Sequence, residues 1–226
     1  MRISYRLVII IAIFITCLIT ANIIAVKVIN LASFTLPAAI FVFPISYIFG
    51  DVLTEVYGYR VARRVIWLGF ACNLIFVFFA WIGQILPPAS FWGGQAAYES
   101  ILGYTPRLLA ASLGGYLVGE FVNSFVLARM KILTKGRWLW SRTIGSTILG
   151  EGVDTAIFIT LAFIGTASSV PTMILNHWVA KVLIEVIFTP ATYAIVNWLK
   201  KKEGIDTYDY KTGYNPFTIL EKEKVP

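Results

Sequence analysis

The chain of 226 residues has little charge, little sulfur and almost no imidazole. Only 14% of its residues are Asp, Glu, Lys or Arg, whereas 58% are hydrophobic and the mean hydropathy is +0.77. A soluble domain of this size needs a more polar surface, so the composition indicates a polytopic membrane protein. The two cysteines, Cys17 and Cys72, stand alone in apolar runs, which excludes a disulfide framework and a Cys-x-x-Cys metal site. The single histidine, His177, excludes HExxH and multi-histidine metal centres. No nucleophile–base pair is evident, so the chain is not read as an enzyme and no catalytic residue, metal ligand or cofactor is assigned. The net charge of +7 falls in short clusters between apolar runs rather than on one helix face, which argues against nucleic acid as a partner.

What the chain does have is long apolar segments. They predict an all-α integral membrane protein of six transmembrane helices, roughly 7–29, 34–54, 62–86, 106–130, 141–166 and 171–199. Residues 1–200 are then one transport domain, and 201–226 a short polar tail with no assigned chemistry. The run from Leu7 follows Arg2 and Arg6 but lacks a small-x-small cleavage site, so it reads as a retained helix. The second span carries Pro37 and Pro44 and is expected to be short and Pro-interrupted. The outer loop 87–105 reads either as an amphipathic lid or as an aromatic belt.

Orientation follows from the loops. Arg2 and Arg6, then Arg60, Arg63 and Arg64, then Arg129 to Arg142, then Lys200, Lys201 and Lys202 occupy alternate ends of the spans. The positive-inside rule therefore places both termini in the cytoplasm.

Several charges fall within the spans. At about 1.5 Å per residue, Glu120, Glu151, Asp154, Glu185 and Lys181 converge on one depth. A charged residue at a helix centre costs roughly 2.5–3.5 kcal/mol, so these groups must face the bundle interior. "GEFVNS" at 119–124, with Glu120 and Asn123, echoes "GEGVDT" at 150–155, with Glu151 and Asp154. Such an echo suggests quasi-symmetric elements facing each other. His177, Lys181 and Glu185 form a stripe on the sixth helix. One lysine cannot neutralise four acids, so the cluster reads as a solute site rather than a scaffold, and the surplus acids raise proton coupling as an expectation. An acid-rich, aromatic-rich cavity suits a nucleobase-like or cationic amine ligand better than an anion.

At "FPISYIFGDVLTEVYGYRVARRVI" (43–66), "WLWSRTIGSTILGEGVDTAIFITLAF" (138–163) and "KVLIEVIFTP" (181–190) the chain resembles the queuosine precursor transporter family. The resemblance implies import of 7-deazaguanine bases across the bacterial inner membrane for tRNA queuosine salvage. It implies roles for Asn22, Phe43, Pro44, Asp51, Arg63, Arg64, Asp154 and Lys181. It also implies amides at the positions of Glu120 and Glu151 in other members, which shifts weight to Asp154. On this reading Asp154, with Glu151 or Glu120, accepts from the guanine-type edge, Phe43 and Trp178 stack on the ring, and Lys181 orients the acid. Asp51, Arg63 and Arg64 read as a gate or helix clamp. The expected partners are the lipid bilayer and a small deazapurine, with assembly as a homo-oligomer left open. The alternative is the substrate-binding subunit of an energy-coupling-factor importer, whose docking face would be the Ala-x-x-x-Ala of Ala21 and Ala25.

Overall fold

The computed structural model describes residues 4–31, 34–103, 106–165 and 169–218. Among the described residues seven α-helices follow one another: α1 (Tyr5–Ile24), α2 (Phe43–Val52), α3 (Tyr59–Ile85), α4 (Gln95–Leu102), α5 (Pro106–Leu133), α6 (Leu139–Phe163) and α7 (Val170–Glu203). Four of these, and α5 with α4 ahead of it, make five helical stretches long and apolar enough to cross a membrane. Their outward faces carry large exposed apolar side chains, among them Ile75, Phe79 and Trp81 on α3 and Leu183 and Ile187 on α7. So much contiguous apolar surface fits lipid, and the chain is a multi-pass membrane protein.

Capping residues mark where the helices begin and end. Ser4 opens α1, its hydroxyl accepting from the Leu7 N–H at 3.1 Å. At the far end of α7, Gly204 takes the left-handed conformation with φ 66°, and Lys200, Lys201 and Lys202 fill the last turn.

Two expectations need correction. The first span stops at Ile24 rather than 29, and the second does not start at 34. Between them a short antiparallel hairpin pairs β1 (Val28–Leu31) with β2 (Phe34–Pro37) within the otherwise helical fold. A 3-10 turn (Ala38–Phe41) follows, and only then does α2 run for 10 residues into a π turn (Leu53–Tyr57). Proline explains the break: Pro37 and Pro44 lack the N–H an unbroken helix needs, and Pro44 falls in the first turn of α2, where that lack costs nothing. The other four spans agree with the sequence reading to within a few residues, and α7 extends to Glu203. In the loop 87–105 the short helix α4 forms, while residues 104–105 lie outside the described part.

The helix ends rich in basic residues all gather at one end of the molecule. There Glu55, on the π turn and 1% exposed, binds Arg142 of α6 at 2.8 Å and Lys200 of α7 at 2.7 Å, with Lys131 of α5 at 3.5 Å. An apolar core of Leu7, Ile10, Phe14, Val52, Val65, Val196 and Leu199 fills the same half. Arg2 and residues 219–226 lie outside the described part.

The segment after α7 is not a free polar tail. Asp206 pairs with Lys131 at 2.5 Å and Lys200 at 2.8 Å. Asp209 caps α3 by accepting from the Tyr59 N–H at 3.0 Å. The carbonyls of Gly213 and Asn215 then accept from Arg63 at 3.0 and 2.7 Å, and that of Pro216 from the Trp67 indole at 2.8 Å. The segment is a strap laid across the basic end.

Candidate functional site

The helix pair α5–α6 supplies the floor and one wall of the site. Its packing is close because each motif of the echo receives the other. A Cβ added at Gly119 would lie 2.6 Å from the Asp154 Cβ, and one at Gly150 would lie 2.6 Å from the Asn123 Cβ. The glycine of each "GE" pair thus seats the Asn or Asp of its counterpart. This reciprocal seating places Glu120 and Glu151 beside each other on the two antiparallel helices.

Above them opens a cavity of about 580 Å³, within the range of small-molecule sites. It is built from the last turns of α1, the first turn of α2, the middle of α3, the first half of α5, the second half of α6 and the first half of α7. Each of these lies away from the basic end, so the cavity occupies the opposite half of the molecule.

Asp154, Glu151, Glu120, Lys181 and Asn22 all line it. Lys181 Nζ binds Glu151 Oε2 at 2.7 Å and Asp154 Oδ2 at 2.5 Å, and the Tyr47 hydroxyl donates to the same Glu151 oxygen at 3.1 Å. Asn22 donates to Asn73 Oδ1 at 2.6 Å and accepts from Ser112 at 3.3 Å. Glu120 differs from the other acids: it lines the cavity with no hydrogen bond or ion pair to another described residue. Tyr116 and Phe158 add aromatic surface, and His177 lies on the rim with Met173.

Other expected residues lie elsewhere. Glu185 sits four residues past Lys181, about 6 Å deeper along α7 and outside the lining. Asn123 turns to Asp51, donating to its Oδ1 at 3.0 Å. Trp178 packs its indole on Gly152 and donates to the Ile148 carbonyl at 2.9 Å, so it braces α6 against α7 instead of lining the cavity. Phe43 opens α2, and its side chain is outside the described part, as is that of Pro44. Asp51 is not brought together with Arg63 and Arg64. Asp51 faces the bundle interior without a cation partner, Arg63 reaches the strap, and Arg64 lies at the basic surface beside it. Ala21 and Ala25 line the cavity, so that small-residue face of α1 points inward rather than outward to a docking partner.

Tyr47, Asn73, Ser112 and Tyr116 escaped the sequence reading. The legible signal was Asn73, an amide within the apolar run "ACNLIF".

A family model described as "Putative vitamin uptake transporter" matches residues 37–195. The chain belongs to that family. The transporter is 30% identical over 186 residues to a Bacillus subtilis protein named "Probable queuosine precursor transporter", covering 81% of each chain. It is 26% identical over 171 residues to the Escherichia coli "Queuosine precursor transporter", covering 72% of this chain and 73% of that one. A Haemophilus influenzae protein also named "Probable queuosine precursor transporter" is 23% identical over 169 residues, 71% and 68% of the two chains. No solved structure matches the chain. Membership makes the protein a transporter and not an enzyme.

Proposed function

We propose that the protein imports queuosine precursors, 7-deazaguanine-type bases such as 7-cyano- and 7-aminomethyl-7-deazaguanine, across the bacterial inner membrane for tRNA queuosine salvage. The observation that carries the reading is Glu120: its carboxyl lines the cavity with no hydrogen bond or ion pair to another described residue, while Lys181 engages Glu151 and Asp154. A guanine-type edge offers a ring N–H and an exocyclic NH₂ side by side, and one carboxylate accepts both. Tyr116 and Phe158 supply faces for the ring, and the Asn22–Asn73 amides supply donors and acceptors for the remaining polar edge. Weight therefore moves from Asp154 to Glu120 as the group that reads the base. An amide at position 120 in a relative keeps one acceptor oxygen and so retains part of this function.

With the basic end in the cytoplasm, as the positive-inside rule requires, the cavity faces outward and the Glu55 cluster with its apolar core closes the inner half. This is the loading arrangement for import by alternating access.

Binding of 7-aminomethyl-7-deazaguanine to purified wild type and Glu120→Ala protein tests the reading. Two lost hydrogen bonds at about 0.5–1.5 kcal/mol each should make the variant bind roughly 5–150-fold more weakly. An analogue lacking the exocyclic amine should bind more weakly than the parent base to wild type and nearly as well as it to the variant. Equal affinity of wild type and variant for the parent base refutes the assignment.

A further inference from the structure

One turn below the cavity lies a group of buried acceptors served by a single donor, the Asn123 amide. Asp51 on α2 is 1% exposed, and beyond its bond from Asn123 its Oδ2 has no partner. Glu185 on α7 is also 1% exposed and keeps its Oε1 without a partner, and the Oδ1 of Asn123 is unpartnered as well. The two carboxyls stand on α2 and α7, which pack against each other, and neither is ion-paired to a lysine or arginine among the described residues. The titratable groups facing them are acids too: Glu120 from α5 and Glu55 from the π turn act on Asp51, and Glu151 from α6 acts on Glu185.

Two ionised carboxylates do not persist in such a place. The effective penalty for an unpaired buried ion is several kcal/mol, and neighbouring like charges add to it. Something positive must be held there. Three oxygens fall short of the roughly six to eight that a hard cation such as calcium takes. A proton needs no such shell: it neutralises one carboxyl and turns an acceptor into a donor.

We propose that Asp51 and Glu185 form the proton-binding site that couples solute movement to a proton gradient, separate from the acids that hold the solute. Position supports the role. Asp51 lies four residues past Tyr47, and Glu185 four past Lys181, so both sit about 6 Å below cavity residues. Gly50, next to Asp51, brings α2 close to Glu120, whose Oε2 a Cβ there would meet at 3.6 Å. The proton enters from the cavity by way of Glu120, rests on the pair, and leaves at the basic end when the Glu55 cluster opens. It is taken up on one side and released on the other, and nothing else is consumed.

The inference rests on the reading of the chain as a deazapurine transporter, and the experiment separates the two. In proteoliposomes, wild type should accumulate labelled 7-aminomethyl-7-deazaguanine above equilibrium when the interior is alkaline, each entry accompanied by proton entry reported by a trapped pH dye. Asp51→Asn and Glu185→Gln should lose this accumulation at least tenfold while binding the base within about threefold of wild type. Accumulation driven by a sodium gradient, or retained by both variants, overturns the inference and leaves the solute reading intact. Should wild type bind no deazapurine, infrared difference spectra of the purified protein across a pH titration still decide. A protonated-carboxyl C=O band that both variants diminish supports the site; a band unchanged in both removes it.

Discussion

Replacing Glu55 by glutamine probes the seal of the inner end. The substitution keeps the shape of the side chain and removes the charge that Arg142, Lys200 and Lys131 share at 2.8, 2.7 and 3.5 Å. Asp206 still serves the two lysines, at 2.5 Å and 2.8 Å. Arg142, 1% exposed, has no second acid and keeps only the Thr134 hydroxyl at 3.2 Å and the Arg137 carbonyl at 2.9 Å. Breaking a buried pair by removing one partner costs about 3–5 kcal/mol. At roughly 2–4 °C per kcal/mol for a chain of this size, the melting temperature should fall by about 6–20 °C. In a Cys72→Ser background the assay is simple: Cys17 is buried in α1, so a thiol-reactive dye in detergent reports unfolding. The double variant Glu55→Gln/Arg142→Met should recover much of the loss, because it removes the stranded cation and neighbouring sites do not add. A shift of under 2 °C for Glu55→Gln, or a double variant worse than the sum of the singles, refutes the account of the seal.

Two further outcomes are expected. Gly119→Ala and Gly150→Ala should each destabilise by about 1–3 kcal/mol in the same melting assay, since a Cβ at either position overlaps the facing helix. Gly114→Ala, whose Cβ would meet only Ile157 at 4.0 Å, should be neutral or stabilising, and equal losses at all three positions would contradict the packing argument. The strap should release in acid. Burial alone would raise the Asp206 carboxyl, but the hydrogen bonds from Lys131 and Lys200 outweigh it and hold it below its ordinary value of 3.8. A group depressed in the folded state contributes stability above its unfolded value and loses it as pH falls through the folded one. Proteolytic protection of residues 206–218 should therefore persist down to about pH 4 and fall below it, whereas in Asp206→Asn it should be weak throughout.

The helices were legible because an apolar run of about 20 residues has one meaning in a membrane. The level placement of Lys181 and Asp154 was legible too, since counting residues along antiparallel helices gives relative depth. The same counting put Glu185 level with them, because it used the ends of the apolar runs as landmarks while α7 continues to Glu203. Rotation about a helix axis is harder to read than depth, and Trp178 shows it: its indole points at Ile148 rather than into the cavity. Glu55 was missed because its three cations come from three distant segments. The strap was hidden for another reason: Arg63 and the Trp67 indole are met by its backbone carbonyls, which every sequence possesses, and Tyr214 and Phe217 add ring contacts to Tyr59 and Trp67.

The reciprocal seating of the two "GE" motifs also constrains how the protein can diverge. A side chain gained at position 119 has to be answered by a smaller or displaced one at 154, and the same bond of necessity joins 150 to 123. Drift at these four sites is therefore pairwise. Among relatives, 119 should covary with 154, and 150 with 123, more strongly than 119 with 150, even though the latter two occupy equivalent places in the repeat.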